Sequence, residues 1–402
     1  TCEGTMGIVQ HIGNQLILYA HALGVLVCMA ARHAWPVYRG RIRWRRWLTV
    51  LGFLPLILGV QVVHWIALIL DECLFPGYRR MAVRQPLFIV GVPRSGTTLL
   101  QRVMAADDTQ FTTLRTWELV LAPSILQKRL LLGLSAVDRR LPGRPLHRAL
   151  DWAERKILGE MDHIHRLSLH APEEDFLLLL PVMFCFALVV AFPSSEDLWR
   201  VSRFDRAVPA NLRHRVMAFY KGCLQRHLYV MGRGRRLLSK NVSFVPFLAS
   251  LRETFPDLCV LACRRDPVKV VPSQISSLLP GLHAFGYVDD DPEFRKRILE
   301  MLVFYYGHMD GELGKLPSER RITLDIREIR DGLEAAIDRV YGRLGLSIAP
   351  GFAERLRGLA RESAAYRSSH HYSLEQFGWT QDEIAAMFEA VCRGETGGVA
   401  ER

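Results

Sequence analysis

Lysine is scarce in this chain: 402 residues carry 7 lysines against 45 arginines, at a formal charge of +11. A GC-rich coding bias explains much of that. The consequence is still chemical, because arginine offers a planar fork suited to bidentate oxyanion contacts. Also missing is any C-x-x-C pair among the eight cysteines, which leaves no zinc spacing and no disulfide framework. Cys28, Cys73, Cys185, Cys259 and Cys263 lie in apolar runs and read as buried thiols of a reducing compartment. No basic tract is interleaved with aromatics, so nucleic acid is not an expected partner. Internal repeats and long low-complexity linkers are absent as well.

The N-terminal 80 residues differ in texture from the rest. Leu16–Ala31 is apolar apart from Tyr19 and His21, and Trp47–Leu70 is a longer apolar run that Pro55 is expected to break. Between them, residues 32–46 hold Arg32, Arg39, Arg41, Arg43, Arg45 and Arg46. Arginines beside apolar segments suit anionic lipid headgroups and favour the cytoplasmic side. Two complete spans around a cytoplasmic loop would leave the remaining chain outside. A cytoplasmic catalytic domain therefore needs the second segment to re-enter or lie in the interface, or neither segment to span. Pro55, Gln61, His64, Trp65, Asp71 and Glu72 favour a re-entrant or interfacial hairpin. No clear small-residue cleavage site speaks for a secretory leader. Met6 reads as a plausible natural start.

From Pro86 the pattern is globular. Leu87–Val90, Leu237–Lys240, Leu258–Cys263 and Arg321–Leu324 read as buried strands, alternating with helical segments at 96–106, 124–160, from 267, 299–307 and 331–345. That alternation predicts an α/β fold: a P-loop-like doubly wound parallel sheet flanked by helices, behind an N-terminal membrane-associated helical segment. The expected division is 1–82 for the segment and 83–402 for the catalytic domain. The apolar stretch 176–192 reads as a buried helix pair or a membrane-resting surface.

Leu87 to Leu100 carries the G-x-x-x-x-G spacing of a nucleotide triphosphatase loop, from Gly91 to Gly96. The lysine that should follow the second glycine is Thr97, and the cation sits inside the loop as Arg94. Backbone N–H groups at a helix start still make an anion site, but one whose oxyanion is not a γ-phosphate. Three further sites follow. Trp117-Glu118 lies beyond the loop's helix, where a carboxylate could take a proton from an attacking hydroxyl. Ser239-Lys240-Asn241 ends a strand, where an ammonium could meet charge growing on a leaving phosphate. Arg264-Arg265-Asp266-Pro267, with Ser273 eight residues after Arg265, reads as a second anion site, with Asp266 capping a helix that Pro267 starts.

Pro93-Arg94-Ser95-Gly96-Thr97-Thr98-Leu99 resembles the 5′-phosphosulfate loop of the sulfotransferases, and Arg265 with Ser273 resembles that family's 3′-phosphate site. The arginine in the loop is similar to that of the tyrosylprotein and bacterial members. Residues 369–378, and His165 with 171–175, are similar to the bacterial group. The resemblance covers roughly 86–392. It implies a 3′-phosphoadenosine 5′-phosphosulfate co-substrate, held by Arg94, Ser95, Gly96, Thr97, Thr98 and Leu99 at one end and by Arg265 and Ser273 at the other. It implies Glu118 as general base and Lys240, with Arg94, assisting the leaving group. No metal is expected. His165 is the fallback base and, with Trp117, a candidate contact for the acceptor. The family's glycine-rich C-terminal phosphate segment is missing, which leaves Arg367–Tyr372 to cap the adenosine. The expected acceptor is a membrane lipid or lipid-linked hydroxyl or amine, met through segments 120–235 and 280–310, on the cytoplasmic face. Alternatives are a protein or glycan acceptor, an unusual P-loop kinase or triphosphatase, and a non-enzymatic membrane scaffold.

Overall fold

The computed structural model describes residues 2–33, 37–38, 41–158, 168–232, 234–287, 291–365 and 373–392. His165 and Arg367–Tyr372 lie outside them. Five parallel strands form the sheet: β1 (Leu87–Gly91), β2 (Phe111–Thr112), β3 (Arg236–Lys240), β4 (Cys259–Arg264) and β5 (Arg321–Asp325), in the order β2-β3-β1-β4-β5. The apolar run of β1 is continuous because both of its faces are covered. Leu87 and Ile89 belong to one buried cluster with Leu100, Val103 and Met104. Phe88 and Val90 belong to another with Tyr220, Phe244 and Val270.

The helices that matter to function are α1 (Cys2–His33), α2 (Trp44–Leu74), α3 (Thr97–Ala105), α4 (Thr116–Val120), α5 (Ile125–Asp138), α6 (Pro145–Leu158), α7 (Ala210–His227), α8 (Pro267–Ala284), α9 (Pro292–Gly314) and α10 (Ile326–Asp331). The amphipathic helix expected at 299–307 is the middle of α9, and it is buried on most sides, through Leu302, Phe304, Tyr305, Tyr306 and Met309. The 176–192 stretch forms two short 3₁₀ helices, Asp175–Val182 and Phe186–Val190, instead of a helix pair. Pro181 and the acidic residues before it favour such tight turns over a long α-helix.

Two of the expectations for the N-terminus need correcting. Pro55 does not break the second segment: α2 runs without interruption from Trp44 to Leu74, with Pro55 exposed inside it. A proline costs a helix one hydrogen bond and a clash, and the packing along the rest of α2 outweighs it. Nor are all the thiols of apolar runs buried, since Cys28 and Cys73 are exposed on the hairpin while Cys223 is buried. α1 and α2 are both long and apolar enough to cross a membrane by length and composition. Leu18, Tyr19 and Leu68 nevertheless sit in the same buried cluster as Phe88 and Val90, so segment 1–82 shares its core with the sheet domain.

Candidate active site

The C-terminal ends of β3, β1, β4 and β5 lie side by side, and a loop bearing a candidate residue leaves each of the first three. Ligands of open α/β sheets bind at this edge, where the chain's winding reverses. The reversal lies at β1 and β4, whose ends approach so closely that a Cβ on Gly91 would stand 2.5 Å from the Cys263 carbonyl oxygen. Glycine is therefore required where β1 meets the loop. Ser95 is buried and donates its hydroxyl to the Val92 carbonyl at 2.6 Å, which ties the loop's two arms together. Gly96 takes φ 90°, and a Cβ there would press on Ile326 at 3.0 Å. α3 starts at Thr97, so its first N–H groups lack helical partners directly behind the loop.

Arg94 is exposed and also adopts a left-handed backbone, φ 64°. A non-glycine residue held there stores strain, a frequent mark of ligand loops. Arg265 donates from Nη1 to the Arg94 carbonyl at 2.7 Å, and Tyr306 donates its hydroxyl to the Arg265 carbonyl at 2.5 Å. Burial and then the neighbouring Arg94 and Arg330 cations pull the Arg265 guanidinium below its usual range. Arg330, on α10 after β5, was not singled out in the sequence, because nothing local ties it to the loop. Asp266 caps α8 through the Val268 N–H at 3.0 Å, as its position before Pro267 suggests. Ser273 is buried on the same helix. One expectation fails here: Arg264 does not flank the turn as a second anion ligand, because its guanidinium is paired with Asp310.

Lys240 ends β3 with its ammonium on the Glu174 carboxylate. Next to it, Asp175 is fully buried and accepts from the hydroxyls of Tyr220, 2.8 Å, and Ser239, 2.9 Å, and from the Asn241 amide. Burial raises its carboxyl to about 6 against these hydrogen bonds. Asn241 in turn accepts the Phe176 N–H at 2.9 Å, so the acidic turn is fastened to the end of β3. Glu174 was visible only as part of an acidic run.

Glu118 occupies a different setting. Its carboxylate accepts from the Arg115 N–H at 3.3 Å, contacts His227 Nδ1 at 2.7 Å and lies 3.7 Å from the Lys128 ammonium. His227 Nε2 reaches the Thr112 hydroxyl at 2.9 Å. Burial pulls the Glu118 carboxyl up, but His227 and Lys128 outweigh it and hold the group below the usual carboxylate range. The Glu118 side chain is 1 % exposed, against 19 % for Glu174. Trp117 is buried beside it. His227 and Lys128 escaped the sequence reading, since a lone histidine 109 residues away, or a lone lysine ten residues away on another helix, carries no local signal.

The site so built can bind an extended anion between two arginine loops and can hold an ammonium–carboxylate pair beside it. The chain is similar in sequence and in fold to known proteins. A sequence profile described as "Sulfotransferase family" matches residues 86–350. The chain is 27% identical over 303 residues, 72% of its length and 71% of the relative's, to a Mycobacterium bovis protein named omega-hydroxy-beta-dihydromenaquinone-9 sulfotransferase Stf3. Among solved structures it is similar to sulfotransferase STF1 from Mycobacterium tuberculosis H37Rv, with TM-score 0.68, 18% identity, and 96% and 98% of the two chains covered. It is also similar to sulfotransferase STF9 from Mycobacterium avium, with TM-score 0.70, 16% identity, and 94% and 97% covered.

Proposed function

The chain belongs to the sulfotransferase family, and on that premise we propose that it transfers a sulfuryl group from 3′-phosphoadenosine 5′-phosphosulfate to a hydroxyl of a membrane lipid or lipid-linked acceptor. The observation that carries the donor is the reach of Arg265, after β4, onto the Arg94 carbonyl of the loop after β1 at 2.7 Å, where the Arg94 and Arg330 cations also act on its guanidinium. Like charges held this close are stabilised by a multiply charged anion between them. Arg94, Ser95, Gly96, Thr97, Thr98 and Leu99 would hold its 5′ phosphosulfate, and Arg265 with Ser273 its 3′ phosphate. The lipid acceptor is supported by the apolar hairpin beside the domain and by the relative whose name states a hydroxylated menaquinone as its substrate.

The donor supplies an activated sulfur–oxygen bond. The acceptor oxygen bonds to sulfur, the bond from sulfur to the bridging phosphate oxygen breaks, and the acceptor proton passes to a carboxylate. Arg94 and Lys240 meet the charge left on the phosphate. Positioning and fixed charge suffice for such an in-line transfer. Glu118 is the base that the family resemblance implies, and to act it must exchange His227 for the acceptor hydroxyl. A second reading gives the proton to Glu174. Its greater exposure and its contact with Lys240 support it.

With sulfur-labelled donor and lipid alcohols presented in vesicles, turnover should survive a chelator. Arg94→Ala and Arg265→Ala should each lose about a hundredfold or more in kcat/KM. Full activity in both variants would sink the proposal. The base is decided by two variants assayed together. Whichever of Glu118→Gln and Glu174→Gln loses kcat by about a hundredfold, while still melting higher with adenosine 3′,5′-bisphosphate, has lost the base. Loss of that thermal shift in either protein would assign the residue to donor binding or folding instead.

A further inference from the structure

We infer that the α1–α2 hairpin lies flat along the domain and that, together with α5 and α6, it presents one apolar, arginine-rimmed face that rests in the surface of an anionic membrane without crossing it. This deepens the lipid-acceptor reading, because it says how the site meets the bilayer.

The hairpin is fastened at both ends and in the middle. At the start of α2, buried Arg46 donates from Nη2 to the Tyr287 hydroxyl at 2.6 Å and stands 4.6 Å over that ring. Midway, Trp65 donates its indole N–H to the Pro181 carbonyl at 2.7 Å. At the end of α2, Asp71 and Glu72 hold fully buried Arg226 of α7 at 2.9 and 2.8 Å. A helix of 31 residues is about 46 Å long, more than a hydrocarbon core of about 30 Å. Were α2 to cross, the domain that grips both of its ends would have to lie in lipid, with its irregular turns at 175–192 and its buried ion pairs. Non-helical backbone is tolerated there only where protein covers it or it lines a water-filled cavity, and the charged outer surface of the domain would have neither. A hairpin lying along the surface leaves both of its ends and the catalytic edge on one side, which resolves the topological conflict posed by two apolar segments ahead of one domain.

The face extends beyond the hairpin. α2 meets α5 where Asp71 accepts the Ile125 and Leu126 N–H groups at 2.8 and 3.0 Å and where His64 contacts Gln127 at 2.9 Å. Along α5, Leu130, Leu134 and Val137 recur at spacings of four and three, on one stripe, and are 59, 53 and 55 % exposed. Leu150 and Trp152 continue the exposure on α6. A soluble surface does not ordinarily keep so many large apolar side chains together. Between residues 129 and 148 there are five arginines and one acid, Asp138, whose carboxylate is spent on the Leu146 and His147 N–H groups. In a twofold contact with a second copy, that arginine rim would face itself. Anionic headgroups neutralise it, so the charge selects lipid as the occupant.

Full-length protein in sealed inverted membrane vesicles, with Arg45→Cys in one sample and Arg80→Cys in another, is treated with a membrane-impermeant maleimide and read peptide by peptide. Both ends of α2 should be labelled. One end labelled and the other protected means that α2 crosses, and overturns the inference. Flotation of purified full-length protein with phosphatidylcholine vesicles, with and without phosphatidylglycerol, tests the remainder of the face. Leu130→Glu/Leu134→Glu should lower binding about tenfold or more, and Arg139→Glu/Arg140→Glu should abolish the preference for phosphatidylglycerol. Unchanged flotation of both double variants overturns the α5 and α6 part. So does a wild-type dimer that they split without loss of flotation. All these proteins should keep the melting shift with adenosine 3′,5′-bisphosphate. Its absence from the wild type would overturn the donor site and leave the membrane face standing.

Discussion

Asp175 sits where chemistry and folding meet. It is fully buried, its partners all donate to it, and burial still lifts its carboxyl from 3.8 to about 6. A carboxyl raised in the folded state keeps its proton more tightly folded than unfolded. Its contribution is thus greatest at low pH and is lost as pH rises from about 4 to about 6. Asp175→Asn removes the titration while leaving a side chain that Tyr220, Ser239 and Asn241 can still bond. The stability of wild type relative to Asp175→Asn should fall across that window by on the order of 3 kcal/mol. Groups such as Glu118, whose carboxyl is depressed, act in the opposite sense but are common to both proteins and cancel. Urea unfolding of the two proteins at about pH 4 and pH 7 measures the gap, and a gap that stays constant refutes the assignment. At this scale legibility depends on locality. The positions of Arg94, Gly96, Arg265 and Asp266 were legible because each lies in a short strand-to-helix loop whose spacing sets where the residue stands. Glu174, Arg330 and His227 were not, because their partners come from strands and helices distant in sequence, and Lys128 was not, because ten residues with a turn between two helices give no fixed spacing to Glu118.

Elements show a second kind of legibility. The four strands expected from apolar runs all form, because a parallel strand covered on both faces needs nothing but apolar residues and a stop. β2 has two residues and no such run, so only its pairing with β3 reveals it. The hairpin helices were legible as helices but not in their destination. An apolar stripe suits lipid and protein core equally, and what decides between them is a few polar residues. Asp71 had looked like a polar interruption that helps a segment leave the membrane. It instead serves as an external cap for α5, supplying a carboxylate to the Ile125 and Leu126 N–H groups that the helix cannot satisfy itself. Glu72 gathers Gln15, Tyr78, Arg79 and Arg226 around one carboxylate, and so joins α1, α2 and α7. No window of sequence contains that network.

For the whole molecule, these contacts bear on whether the first 75 residues can be cut away. A separable anchor would leave a soluble domain with its donor site intact. Removing residues 1–75 here takes Asp71 and Glu72 from Arg226, leaving a guanidinium buried without its carboxylates, a loss of about 3–5 kcal/mol. It also strips Leu18, Tyr19 and Leu68 from the cluster that backs β1, and takes Ala22, Val25, Ile57 and their neighbours from Met183, Leu188 and Phe192. Cavities and exposed apolar surface add to the cost. The truncated protein should therefore melt at least about 10 °C below the full chain, or aggregate, and should lose the shift with adenosine 3′,5′-bisphosphate although no donor-loop residue has been removed. Thermal unfolding followed by near-ultraviolet circular dichroism, with and without the bisphosphate, makes the comparison. A truncated protein with the full chain's midpoint and ligand shift would mean that the hairpin only tethers the enzyme. The expected result makes it part of the catalytic fold, so that the surface resting on lipid and the sheet edge carrying Arg94 and Arg265 belong to one cooperative unit.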